Sequence, residues 1–197
     1  MKILDIKQQT PEWYAARAGV PSASNFDKVL TASGTLSKQV DKYAFQLAGE
    51  TIIGTKEDSY QNDAMKRGVE LEPEARLCYE LMTGNTVNRV GLCMADGGYA
   101  CSPDGLIGED GGMEIKCPSL AVHTMYLYEN KLPTDYFQQV QGSMLVTGRK
   151  WWDFVSYYPN MKTLIVRVER DDAFCNKLHN ALVVLVKDVA NIVNKIK

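Results

Sequence analysis

The stretch CSPDGLIGEDGGMEIKCP, residues 101–118, leaves few folds open. Two apolar runs flank the segment EDGG, the pattern of two strands joined by a tight turn. Asp104 stands in a Pro-Asp-Gly turn, and Glu114 and Lys116 follow ten and twelve residues later. Alternate side chains of a strand share a face, so Glu114 and Lys116 point one way and Ile115 the other. The hairpin partner brings Asp104 near Glu114. Two hard carboxylates on one side make a seat for Mg²⁺, which prefers oxygen ligands, and the backbone carbonyl of Ile115 adds another. A metal there polarises a phosphoryl oxygen and lowers the pKa of bound water, and a second ion can steady a leaving oxygen. Lys116 would orient the attacking water or offset charge developing on the phosphate. The competing reading is a surface hairpin with a Glu–Lys pair, because Asp-Gly is a common turn signal and E-x-K alone identifies nothing.

The flanking sequence alternates between helical and strand patterns. Thr10-Pro11-Glu12 predicts a helix start, with a stop at Gly19. Ser22 is placed to cap a second short helix through Leu30. Val40, Tyr43, Leu47 and Ile52 recur at helical spacing, and Gly54 ends that run. Residues 55–63 are polar and read as a loop. A helix over 64–82 contains Pro73, which predicts a start or a kink there. TVNRVGLCMA, YACSPDGLIG and MEIKC read as strands, SLAVHTMYLYENK and PTDYFQQVQGSMLVTG as helices, and WWDFVSYYP with TLIVRVER as a hairpin. From Asp171 a long helix carries Phe174, Leu178, Ala181, Leu185, Val189, Ile192 and Ile196, a stripe for core packing or a subunit contact. These patterns predict one domain over residues 1–197: an α/β fold with a small central mixed sheet flanked by helices.

Composition excludes more than it identifies. A net charge of −2 gives no sign of a DNA-coating protein, although it permits a local basic track around an acidic centre. Arg149, Lys150, Lys66 and Arg67 are candidates for such a track or for a solvated face. Five cysteines with no C-x-x-C spacing predict reduced thiols in a cytoplasmic protein rather than a zinc or iron–sulfur site. No apolar run reaches the length of a membrane span. His123 and His179 lie apart and read as ordinary helix residues. Of the adjacent Trp151 and Trp152, one must face the core, and the other is available to stack on a base.

The segments EWYAARAGVPSAS, RGVELEPEAR, ACSPDGLIG, EIKCP and FQQVQGSMLVTG together resemble the lambda-exonuclease and YqaJ-type viral recombinase family of PD-(D/E)xK nucleases. The resemblance runs from about Trp13 to the strand TLIVRVERDD. It implies a restriction-endonuclease-like core and Mg²⁺-dependent digestion of double-stranded DNA from a 5′ end, with Mn²⁺ as a substitute and two ions per site. It also implies a ring-shaped homotrimer, a single-strand annealing protein as partner, and a setting in the cytoplasm of a bacterial phage host. An endonuclease of the same fold, or an inactive DNA-binding protein, are the alternatives.

Residue by residue, the resemblance gives Asp104 and Glu114 metal-ligand roles and Lys116 the water-orienting role. Glu72 aligns as the helical acid, with Glu70 and Glu74 as neighbours; Glu72, Arg76 and Glu80 also fit a surface salt-bridge ladder. Gln139 matches the family's catalytic-motif glutamine, with Gln138 and Gln141 on other faces. Arg17 and Ser24 match positions that hold the 5′-terminal phosphate, where the predicted helix start at Ser22 or Ser24 would favour an anion. Pro21 before Ser22 departs from the family pattern.

Overall fold

The computed structural model describes residues 1–56 and 63–197, for 63–65 the backbone only. Most of the loop expected over 55–63 lies outside the described residues.

Helix α1 (Pro11–Arg17) starts as its sequence predicts, with Thr10 Oγ1 accepting the Trp13 N–H. A six-residue 3₁₀ turn, Ala23–Lys28, follows. Ser22 precedes it but does not cap it, because its hydroxyl accepts a bond from Arg17 instead. Helix α2 (Val40–Ile53) ends on Gly54 in the left-handed conformation. Helix α3 (Asp63–Thr83) runs continuously past Pro73, so the expected start there does not occur. Tyr79 and Ala75, on the following turns, are fully buried; packing outweighs the backbone bond that proline removes.

The strands form two sheets. One has three strands, β1 (Lys2–Leu4), β3 (Leu92–Met94) and β4 (Ala100–Cys101), in the order β1-β3-β4. The other has β2 (Val87–Asn88), β5 (Gly105–Ile107), β6 (Gly111–Lys116), β7 (Trp151–Ser156) and β8 (Leu164–Glu169), in the order β2-β5-β6-β7-β8. Only the β6–β7 pair of the larger sheet is parallel, so that sheet is mixed. Two segments that read as single strands each cross from one sheet to the other. The first breaks at Arg89–Gly91 between β2 and β3, and the second at Ser102–Asp104 between β4 and β5. At Gly91 a Cβ would stand 1.9 Å from the Ile6 carbonyl oxygen, so close backbone approach fixes that bend.

The parallel β6–β7 pair needs a long crossover, supplied by α4 (Leu120–Glu129) and α5 (Phe137–Thr147). Helix α6 (Asp172–Ile196) is capped by Asp171 as expected. Its stripe enters the main core with Leu47, Met144 and Trp152; Ile196 alone of the predicted set is largely exposed, at 63%. On the opposite face of the larger sheet, Ala75 and Tyr79 of α3 pack on Met113, Ile115 and Val155. The larger sheet therefore lies between helices.

Candidate active site

Strand β6 outruns β5. Their register ends at Gly105 opposite Met113, whereas β6 stays paired with β7 to Lys116. Asp104, the residue just before β5, fills the place of a missing strand neighbour: its Oδ2 accepts the Ile115 N–H at 2.6 Å. A strand residue directs its N–H and C=O to the same side, so the Ile115 carbonyl faces this gap as well.

Glu114 and Lys116 share the sheet face opposite Ile115. Glu114, almost fully buried, accepts at Oε1 from Lys116 Nζ at 2.7 Å and from Gln139 Nε2 at 2.6 Å. Gln139 comes from α5. Its neighbours serve the scaffold: Gln138 donates to the Leu30 carbonyl, and Gln141 bonds the Glu169 carbonyl and the Asp171 N–H. Lys116 also lies over the Tyr136 ring, 5.0 Å from its centroid.

The four glutamates of α3 separate in the same way. Glu72 lines a cavity of about 250 Å³ with Asp104 and pairs with Arg76. Glu74 accepts from Tyr157 Oη at 2.6 Å, and Glu70 is exposed. Glu80 caps the Val87 N–H rather than Arg76, so the expected surface ladder stops at its first rung.

The electrostatics are those of crowded acids. Burial, followed by repulsion from Glu114 and Glu72, pushes the Asp104 carboxyl well above its usual range, against Lys116 and the Ile115 N–H. Burial opposes the charge on Lys116, but Glu114 and Asp104 together outweigh it and hold the amine above its ordinary value. Among the described residues no three His, Cys, Asp or Glu side chains form a group ready to hold a metal. Each carboxylate is turned to a local partner: Glu72 to Arg76, Glu114 to Lys116 and Gln139, Asp104 to Ile115. The donor set, two or three carboxylates and a backbone carbonyl in mutual repulsion, nonetheless fits a hard divalent cation.

A second cavity, of about 130 Å³, adjoins this centre. Arg17, Ser22, Ser24, Gln139, Ser102, Gln8 and Trp13 line it. Arg17 is buried, stacks 3.9 Å from the Trp13 ring and donates to Ser22 Oγ at 3.2 Å. Burial lowers its pKa, with Tyr43, Tyr14 and Glu50 opposing. Ser22 Oγ and Ser24 Oγ are 3.3 Å apart. Sequence reasoning missed Gln8, Trp13 and Ser102 as lining residues. Trp13 and Ser102 lay within the recognised segments; Gln8 carried no signal, and it is placed by bonds to the Val90 and Pro103 carbonyls across the chain.

The basic residues proposed as a track are mostly engaged elsewhere. Arg149 donates to the carbonyls of Ile107, Gly108 and Gly111, Lys150 pairs with Asp110, and Arg67 bonds the Pro118 carbonyl. Trp152 is core, and Trp151 is covered by the Arg167 guanidinium at 3.6 Å. His123 is wholly buried between Ser156 and the Lys162 carbonyl, and His179 bonds Tyr99 Oη. All five cysteines are free thiols.

Residues 12–150 match the family described as YqaJ-like viral recombinase domain. The chain belongs to that family. It is similar to LHK-Exo, an alkaline exonuclease from Laribacter hongkongensis, at 35% identity and a TM-score of 0.86, over 95% of this chain and 96% of the other. The LHK-Exo structure in complex with dAMP gives 36% identity with the same TM-score and coverage, 95% and 96%. A phage-related exonuclease from Haemophilus somnus 129PT shares the fold at 14% identity and a TM-score of 0.70, over 90% of this chain and 96% of that one. No curated protein matches the chain. The chain is thus a nuclease of a metal-dependent, phage-type recombination family that acts on DNA. Among the described residues no helix is long and apolar enough to cross a membrane.

Proposed function

We propose that residues 1–197 work as one nuclease unit, a Mg²⁺-dependent exonuclease that degrades one strand of duplex DNA from its 5′ end and leaves 3′ tails for annealing. The observation that carries this reading is the adjacency of two unlike sites through one residue. Gln139 bonds Glu114 and also lines the Arg17 cavity. The carboxylate centre suits phosphodiester hydrolysis, and the Arg17 cavity, lined by a buried guanidinium and serine hydroxyls, suits a terminal phosphate.

Asp104, Glu114 and the Ile115 carbonyl would hold the metal, with Glu72 completing the acidic wall; Mn²⁺ has the same preference for oxygen, and a second ion belongs to this reading by family resemblance. When bound, the metal supplies Lewis-acid activation of the phosphoryl oxygen and of water. Lys116, held over Tyr136 and against Glu114, places a positive charge where the transition state gains negative charge. Gln139 fixes the rotamer of Glu114. In the neighbouring cavity Arg17 offers a guanidinium whose buried Nε has no hydrogen-bond partner. An anion in the cavity satisfies such a donor. Ser22 and Ser24 add hydroxyls. A ring trimer and a single-strand annealing partner belong to the same reading by family resemblance.

Linear and closed-circular duplexes, the linear ones with 5′ phosphate or 5′ hydroxyl, are to be incubated with and without Mg²⁺. The reading expects Mg²⁺-dependent loss of linear DNA only, faster from 5′-phosphate ends. Arg17→Ala should erase about ten- to a hundredfold of that preference, the worth of one hydrogen bond to a charged group. Cutting of circles at the same rate would assign the site to an endonuclease.

A further inference from the structure

The cavity beside Glu72 and Asp104 contains two cations that the chemistry above leaves unused. Lys7 lies on the segment between β1 and α1, and Arg89 on the bend between β2 and β3; both line this cavity. Both residues are exposed. The other arginines are committed to the protein: Arg17 to Ser22, Arg67 to Pro118, Arg76 to Glu72, Arg149 to three carbonyls, Arg167 to Asp153 and Arg170 to Asp172. Arg89 is the one arginine that makes no hydrogen bond or ion pair among the described residues, and the Lys7 amine makes none either. These two line the same wall as Asp5, Glu72 and Asp104, yet pair with none of them.

Their position gives a direction to the groove. Gln8 lines both cavities and is pinned by its bonds to the Val90 and Pro103 carbonyls, each 3.0 Å. The Arg17 cavity and the Lys7–Arg89 cavity therefore meet at Gln8, and Asp104 lines the second. A strand whose terminal phosphate sits by Arg17 and whose scissile linkage sits by Asp104 passes from the first cavity into the second, which Lys7 and Arg89 line.

We infer that Lys7 and Arg89 grip the phosphodiesters immediately 3′ of the scissile linkage on the strand being cleaved. This rests on the end-directed reading above. The ligand class is a polyanionic phosphodiester backbone, read by charge and not by base. Each contact contributes by counterion release, so each is worth about fivefold in affinity at 0.15 M salt, and the pair about 30-fold.

The test combines a protein change with a substrate change. Duplex affinity is measured by fluorescence anisotropy, with Ca²⁺ in place of Mg²⁺, for wild type and Lys7→Gln/Arg89→Gln. The double variant should bind about 30-fold more weakly at 0.15 M salt, and its slope of log affinity against log salt should be smaller by about 1.8. Neutral methylphosphonate linkages placed one and two positions 3′ of the scissile bond should weaken wild-type binding and leave the variant unmoved. The preference for a 5′ phosphate should persist in the variant, since the Arg17 cavity is untouched. An unchanged salt slope, or equal sensitivity of both proteins to the neutral linkages, overturns the inference while that preference stands. A wild type with no end preference overturns the end-directed reading, and this inference with it.

Discussion

The two halves of strand β6 are built on opposite principles. Its first half, Gly111 to Met113, is paired on both sides and packed flush against tryptophan rings: a Cβ at Gly112 would fall 2.2 Å from Trp152. Its second half, Glu114 to Lys116, has a strand on one side only, and its polar groups meet Asp104, Gln139 and one another. One strand thus anchors a close-packed core and carries a charged centre a few residues on. The first half tolerates no added atom, whereas the second holds like charges close together at a cost to stability.

The sharpest way to separate the halves is to remove a carboxylate. Asp104→Ala should lower metal-dependent cleavage by at least about a thousandfold, the loss expected when a metal that supplies several kcal/mol is no longer held. The melting temperature should fall little, and cleavage near the wild-type rate would remove Asp104 from the site. Lys116→Ala comes next. Cleavage should drop about a hundred- to a thousandfold, as for loss of one transition-state donor, while divalent-metal titration still shows binding. Loss of metal binding instead would make Lys116 a structural support.

The first half should respond in the other currency. Gly112→Ala is expected to cost about 1–3 kcal/mol of stability through overpacking against Trp152. Urea unfolding would detect it, with activity per folded molecule unchanged. The smallest expected effect has the opposite sign. Burial, then Glu114 and Glu72, raise the folded-state pKa of Asp104, so its contribution to stability is fully present below the unfolded carboxylate range and lost as pH rises through the folded value. Asp104→Asn should therefore stabilise the metal-free protein at neutral pH by the ~0.5–2 kcal/mol that single charge-optimising changes commonly give. The gain should shrink on acidification. A melting temperature equal to wild type across the pH range would show that the acids do not strain the fold.

Much of this was legible in the sequence because it is local. The cap at Thr10, the stop at Gly54, the β5–β6 turn and the α6 stripe each depend on a few neighbouring residues. The crossing between sheets was not legible. TVNRVGLCMA looks like one strand because its residues keep strand preferences on both sides of Gly91, and only the approach of Ile6 from elsewhere in the chain breaks it. In the site, the pattern Asp104, Glu114, Lys116 could be read from spacing and resemblance. What spacing could not show is that Gln139, unlike Gln138 and Gln141, bonds Glu114, and that Glu72 shares a cavity with Asp104. Ser22 was misjudged as a cap because nothing in its neighbourhood announces that Arg17 takes its hydroxyl.

The bond between Asp104 and the backbone of Ile115 has a spectroscopic consequence. Almost every amide hydrogen inside a sheet points at a carbonyl, whose charge never changes; this one points at a carboxylate oxygen 2.6 Å away. Its NMR resonance should therefore move whenever that carboxylate gains a proton, takes a cation or turns toward a phosphate. A single backbone signal then becomes an internal electrometer for the whole centre, readable without a label and without turnover.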